Sequence, residues 1–146
     1  MKSMKERIYN EADTAAIAAE ILAVINSSDD GATVLALQGD LGAGKTTLTK
    51  ALAAQLGVVE TVVSPTFVIA KYYQTSGTDF DTLVHMDAYR IESLDELVPL
   101  GWDALLKQPK TLLIVEWPEK IIGALPDGRH HVVIKHDGEQ RNITSL

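Results

Sequence analysis

The stretch that most constrains this chain runs from Gly39 to Thr46 and reads G-D-L-G-A-G-K-T. A β-branched and apolar run, 33–38, precedes it, and a run of good helix formers, 47–56, follows it. Strand, glycine-rich loop and helix in this order are typical of the phosphate-binding loop of P-loop nucleotidases. The pattern therefore predicts an α/β sheet organised around this strand.

The predicted nucleotide contacts come from this loop and the first turn of the helix. Glycines allow positive φ, so that successive backbone N–H groups turn towards a phosphate, and the helix N-terminus adds positive partial charge. Lys45 is predicted to reach the β- and γ-phosphates of ATP, and the Thr46 hydroxyl to ligate Mg²⁺. The predicted nucleotide-binding residues are Gly39, Asp40, Leu41, Gly42, Ala43, Gly44, Lys45, Thr46 and Thr47.

Length and composition favour a single domain over residues 1–146, because 146 residues with 46% hydrophobic content suit one sizeable core. The absence of cysteine excludes disulfides and thiolate metal sites and is compatible with a cytoplasmic location. The net charge is −7 and the cations are scattered, which argues against nucleic-acid binding by this chain alone. No stretch is long and apolar enough to predict a membrane span or a signal peptide.

The flanking segments predict the remainder of the sheet. The near-continuous apolar run 111–116 is typical of a strand buried on both faces, which places it beside the loop strand at a parallel centre. Segments 68–73 and 80–86 predict one hairpin, and alternation around Asp137-Gly138 predicts another. We therefore expect a three-layer P-loop NTPase-like fold, with a central mixed sheet, parallel core strands and antiparallel flanking hairpins.

Two acidic residues stand where predicted strands end. Glu116 follows the buried run, where a carboxylate can hold the metal's water shell or polarise an attacking water. Asp87 follows a second strand and is the other candidate metal-shell acid, although an aspartate that starts an ordinary turn is the alternative. Ser64 and Thr66 are candidates for a γ-phosphate switch, against local turn and cap bonding.

For three further residues the sequence leaves a functional and a purely structural role open. His85 could titrate near neutral pH, but a histidine in a strand is more often packed and hydrogen-bonded. Arg90 could contact phosphate or form an ion pair with a neighbouring acid. Trp117 could lie over the site or on a partner surface, although a tryptophan is usually buried in the core.

Four segments together resemble the bacterial TsaE (YjeE) family of small P-loop ATPases. They are Gly39 to Thr46, Ser64-Pro65-Thr66-Phe67, His85-Met86-Asp87-Ala88-Tyr89-Arg90 and Glu116-Trp117-Pro118-Glu119. Apart from the P-loop each is weak alone, but their order and spacing make the set specific. The similarity extends from about the first helix to the last strand.

The resemblance implies an ATPase that uses ATP and Mg²⁺ and works with the protein subunits TsaB and TsaD in the threonylcarbamoyladenosine modification of tRNA. It implies that Lys45 and Thr46 hold phosphate and Mg²⁺, and that Asp87 and Glu116 are the acids of the metal and water site. It assigns Ser64 and Thr66 to a switch-like loop, and Trp117 to the nucleotide or partner side. Contact with tRNA would be indirect, through the complex.

Other functions remain open at this point. A small-molecule kinase usually needs several arginines and a lid, and a common guanine-specific switch carries N-K-x-D, which is not found here. A nucleotide-binding subunit without catalysis is a third alternative. Of the four arginines only Arg90 lies in a candidate motif, so we expect slow hydrolysis alone and faster hydrolysis in the complex.

Overall fold

The computed structural model describes residues 6–40, 44–62 and 69–145, which form a mixed sheet with helices on both faces. Within these ranges the strands are β1 (Arg7–Tyr9), β2 (Thr33–Gly39), β3 (Ala70–Gln74), β4 (Thr82–Asp87), β5 (Thr111–Glu116), β6 (His130–Asp137) and β7 (Gln140–Ser145). Their order across the sheet is β1-β7-β6-β2-β5-β4-β3. The strand before the glycine-rich loop therefore lies at the centre.

The pairing confirms a parallel centre with antiparallel flanks. β2 pairs parallel with β5 on one side and β6 on the other, and β5 pairs parallel with β4. β3 and β4 form the first predicted hairpin, and β6 and β7 form the second. Gly138, with φ of 64°, lies in the turn of the second hairpin, where glycine is favoured. The predicted limits of β5 are confirmed, and those of β3 and β4 differ from the observed ones by one or two residues.

The helices also follow the sequence pattern. The α-helices in the described ranges are α1 (Thr14–Val24), α2 (Lys45–Gln55) and α3 (Trp102–Leu106), and the 3-10 segments are Glu11–Asp13, Leu94–Leu100 and Pro118–Ala124. The capping box at Ser93 is present, because its side chain accepts from the Asp95 N–H and the Glu96 carboxylate accepts from the Ser93 N–H. The segment it opens is a 3-10 helix containing Pro99, which has no N–H for an α-helical bond.

Two hydrophobic cores lie on opposite faces of the sheet. On one face α1 and α2 pack against the strands, with Ile17, Ile21 and Ile25 buried there and Leu22 half-buried beside them. On the other face α3 and the two later 3-10 segments cover the sheet, with Trp102 and Ile121 in the core. Because helices cover both faces, the predicted three-layer arrangement is confirmed.

A glycine in a left-handed conformation follows the C-terminus of α2. Gly57 has φ of 79°, and its N–H donates to Ala54 O while the Val58 N–H donates to Ala53 O. A left-handed residue with this pair of bonds satisfies the last carbonyls of the helix. Across residues 6–40, 44–62 and 69–145, no helix has both the length and the apolar character needed to cross a membrane.

Candidate functional site

The ends of the central parallel strands bring the predicted acids to the glycine-rich loop. β4 and β5 run in register, so that Asp87 is the direct neighbour of Glu116, and Glu116 in turn neighbours Leu37 of β2. Both carboxylates are largely buried, with 9% and 4% of their surfaces exposed. Parallel strands share one carboxyl edge, and ligands of such sheets bind there. Gly39, at the end of β2, opens the loop on the same edge.

Lys45 begins α2 and points back into this site. It is 5% exposed, and its Nζ donates to Gly39 O at 2.5 Å. Burial lowers the pKa of Lys45, and the nearby carboxylates of Glu116, Asp87, Glu119 and Asp40 act in the opposite direction. The amine therefore lies among acids in a partly desolvated position, where its charge interacts strongly with an anion.

The described part of the loop includes one glycine in a left-handed conformation. Gly44, directly before α2, has φ of 101°, a conformation that residues with a Cβ rarely adopt. Thr46 and Thr47 are half-buried in the first turn of α2, and Asp40 is exposed beside the loop. Leu41, Gly42, Ala43, Ser64 and Thr66 lie outside the described residues, so their roles remain predictions.

The acids are held by different contacts. Asp87 Oδ1 accepts from the Tyr89 N–H at 2.9 Å, which leaves the other oxygen for a further ligand. Glu116 Oε2 contacts His85 Nε2 in a buried pair, and Glu116 O accepts from the Ala88 N–H. Sequence reasoning described His85 as a packed, hydrogen-bonded histidine but did not connect it with Glu116. Alternation along β4 puts His85 on the same face as Asp87, and that signal could have found it.

Trp117 lies beside Lys45 and also packs, half-buried, against the core that contains Trp102 and Ile121, so its role at the nucleotide or partner side stays a prediction. Lys45 Nζ is 4.1 Å from the centroid of the Trp117 ring, within cation–π range. The Tyr89 ring stacks on Trp117 at 5.0 Å with a 53° tilt. Trp117 has φ of 54°, in the left-handed region that a bulky residue rarely adopts.

Two arginines lie in the neighbourhood of these elements. Arg90 is exposed after the end of β4. Arg141, on β7, was missed in the sequence, yet its Nε lies 3.0 Å from the point that a Cβ on Gly44 would occupy. No local motif marks Arg141, because its approach depends on where the last hairpin packs. The structure therefore adds a cation next to the loop.

The donor atoms of these side chains could hold Mg²⁺ together with nucleotide phosphates. Among the residues that the structure describes, no group of three or more histidine, cysteine, aspartate or glutamate side chains is arranged to hold a metal. Mg²⁺ is typically bound by one or two carboxylates together with substrate phosphates and water. Asp87, Glu116 and the Thr46 hydroxyl are the residues of this chain that could contribute to such a donor set.

Comparison with known proteins gives a consistent result. A family model described as "Threonylcarbamoyl adenosine biosynthesis protein TsaE" matches residues 8–143. A Bacillus subtilis protein named "tRNA threonylcarbamoyladenosine biosynthesis protein TsaE" is 43% identical over 145 residues, covering 99% of this chain and 85% of that protein. A Haemophilus influenzae protein of the same name is 34% identical over 125 residues, covering 86% of this chain and 75% of that protein.

A solved structure shares the fold. The crystal structure of Bacillus subtilis YdiB superposes with a TM-score of 0.74 and 36% sequence identity, and the match covers 99% of this chain and 86% of that one. The overall fold is therefore common to the two chains.

Proposed function

This chain belongs to the TsaE family of threonylcarbamoyl adenosine biosynthesis proteins, and from that premise we propose that it is a Mg²⁺-dependent ATPase subunit. It would support threonylcarbamoyladenosine modification of tRNA together with TsaB and TsaD. The observation that carries the proposal is that Lys45, Asp87 and Glu116 converge at the carboxyl edge of the central strands.

The proposed chemistry is hydrolysis of the γ-phosphoryl bond. The Lys45 ammonium and the N-terminus of α2 bind the phosphates. Thr46, Asp87 and Glu116 would hold Mg²⁺, which when bound supplies positive charge beside the phosphoryl oxygens. Glu116 orients a water for attack on phosphorus and accepts its proton, as the bond to the ADP oxygen breaks. Trp117 covers the Lys45 side of this site.

Two of the four arginines are engaged away from the proposed phosphate site, which favours a contribution from the partners. Arg7 forms an ion pair with Glu20 at 2.6 Å, and Arg129 donates to Pro126 O at the opposite edge of the sheet. Arg141 packs against the loop, and Arg90 is exposed beyond β4. An arginine aimed at the transferring phosphoryl group can increase turnover by a factor on the order of a thousand or more. We therefore infer slow turnover by the chain alone and faster turnover with TsaB and TsaD.

Steady-state ATP turnover with and without TsaB and TsaD tests this function. Lys45→Ala should weaken nucleotide binding, whereas Glu116→Ala should preserve nucleotide binding at saturating Mg²⁺ and remove hydrolysis. Lys50→Ala, on the exposed face of the same helix, is the matched control and should change neither. Unchanged hydrolysis by Glu116→Ala would refute its assigned role.

Two other results would favour the alternative functions. Transfer of the γ-phosphoryl group to an added acceptor would favour a kinase. Tight GTP binding with weak ATP binding would favour a switch. Equal, rapid turnover with and without the partners would contradict the proposed dependence on them.

A further inference from the structure

We propose that His85 is a positioning residue for Glu116, holding one carboxylate oxygen so that the other faces the water and metal shell. This inference rests on the proposed function, because it assigns Glu116 a part in hydrolysis. His85 itself would touch neither the nucleotide nor the reacting water. It would act by fixing the direction in which Glu116 presents its free oxygen.

The strand register shows that the contact requires a specific side-chain direction. On β5 the residue opposite His85 is Ile114, whereas the residue opposite Glu116 is Asp87. Glu116 and Ile114 lie on the same face because side chains alternate along a strand. To contact His85, the Glu116 side chain therefore turns back along the sheet, away from its direct neighbour. The Oε2 atom is engaged with His85 Nε2, and Oε1 is left for the site.

Burial makes this direction well defined. His85 is 0% exposed and Glu116 is 4% exposed, so that water does not compete strongly for the bond. A hydrogen bond to an ionised carboxylate is among the stronger types, particularly where the dielectric is low. In metal sites, partners of this kind orient the ligating carboxylate from behind. The contact can thus fix the Glu116 rotamer before nucleotide binds.

The other ring nitrogen indicates that His85 does not serve packing alone. A carboxylate oxygen accepts only, so Nε2 carries the proton in the contact. Nδ1 is buried and has no hydrogen-bond partner within the described part of the chain. A buried polar atom without a partner is unfavourable, and an apolar residue would fill this position without that penalty. A role through Nε2 explains why a polar ring stands at this place.

Two amide substitutions at His85 distinguish a role in positioning Glu116 from a role in filling space in the core. In His85→Gln the side-chain amide nitrogen can occupy the place of Nε2, whereas in His85→Asn it can reach only the place of Nδ1. Met86→Leu is the matched control, because Met86 is the next residue of β4 and is buried in the opposite core. The assay is ATP turnover by the full chain with TsaB and TsaD, with circular dichroism to verify folding.

We expect His85→Asn to lower kcat by about 10- to 100-fold while the affinity for a non-hydrolysable ATP analogue at saturating Mg²⁺ stays within about threefold. His85→Gln should recover most of the turnover, and Met86→Leu should resemble the wild type. Combining His85→Asn with Glu116→Gln should be no slower than Glu116→Gln alone. The inference would be overturned by full turnover in folded His85→Asn or by equal losses in the Asn and Gln variants. It would also be overturned if the loss in the double variant were the product of the losses in the two single variants.

A second readout distinguishes failure of this inference from failure of the proposed function. If wild-type chain with its partners hydrolyses no ATP, the proposed function fails. The Mg²⁺ concentration that half-saturates binding of the non-hydrolysable analogue still reports on Glu116. His85→Asn should raise that concentration by about tenfold and His85→Gln by much less. Identical midpoints in all three proteins would exclude the positioning role.

Discussion

Two glycines with similar positive φ differ in the space around them. Comparing an alanine substitution at each separates the cost of a steric clash next to α2 from the cost of left-handed backbone strain. Gly57 ends α2 with φ of 79°, and Gly77 lies in the β3–β4 hairpin with φ of 72°. A Cβ on Gly57 would lie 2.4 Å from the backbone oxygen of Ser76, whereas a Cβ on Gly77 would meet nothing within 4 Å. We predict that Gly57→Ala destabilises the fold considerably more than Gly77→Ala.

The magnitudes follow from these contacts. A left-handed alanine costs about 1–2 kcal/mol, partly offset by about 0.4–1 kcal/mol from the less flexible unfolded chain, so Gly77→Ala should cost about 1 kcal/mol. In Gly57→Ala the backbone of Ser76 must also move, although its N–H donates to Leu56 O at 2.9 Å. Backbone shifts of this kind cost about 1–3 kcal/mol, and loss of the hydrogen bond about 0.5–1.5 kcal/mol. Gly57→Ala should therefore cost about 3–5 kcal/mol.

Urea unfolding at pH 7, monitored by circular dichroism, measures both values in one series. The slope of free energy against urea should be the same for the wild type and both variants, so that the midpoints report stability. Equal destabilisation by Gly57→Ala and Gly77→Ala would show that the contact with Ser76 does not constrain the hairpin in solution. A larger loss in Gly77→Ala would refute the reasoning altogether.

Three further predictions concern charge and aromatic contacts. Arg141→Ala should weaken binding of a Mg²⁺–ATP analogue by about 3- to 10-fold, since a cation beside the loop is lost, and calorimetry should find no such change in Arg129→Ala. Trp117→Leu should lower the unfolding free energy by about 1–3 kcal/mol through its lost ring contacts, and an unchanged urea midpoint would contradict this. Burial lowers the pKa of His131 below its usual value of 6.5, so the unfolded state takes up this proton at a higher pH than the folded state does. Stability should fall as the pH drops below 6.5, and the fall should be smaller in His131→Gln; an equal fall in the two proteins would contradict this.

The central part of the fold could be predicted because its signals are local. The glycine-rich loop with its flanks identified β2 and α2, and the apolar run 111–116 identified β5. Alternation and turn residues identified both hairpins. The ends of strands were less accurate: Phe80 was assigned to β4, but it is a buried residue that precedes the strand. Its apolar side chain packs in the core although its backbone lies outside the strand. Hydrophobicity alone does not distinguish a buried residue of a strand from a buried residue that precedes one.

The contacts within the site depended on strand order, which the sequence does not state. Asp87 and Glu116 were identified because each ends an apolar strand, and parallel neighbours bring such ends together. The contact of His85 with Glu116 required the register of β4 against β5. The approach of Arg141 to Gly44 required β7 to pack beside β6, so that residues 97 positions apart meet. Local patterns carry no information about such distances.

The position of β2 has a consequence for synthesis of the chain. Both of its neighbours, β5 and β6, come later in the sequence, so β2 has no strand to pair with until residues beyond 111 have left the ribosome. The first third of the chain thus emerges with an apolar, unpaired strand and an incomplete nucleotide site. Non-local pairing of this kind is slow and leaves hydrophobic surface exposed meanwhile. The nascent chain is therefore a candidate for chaperone protection until Glu116 and the strand that carries it are available.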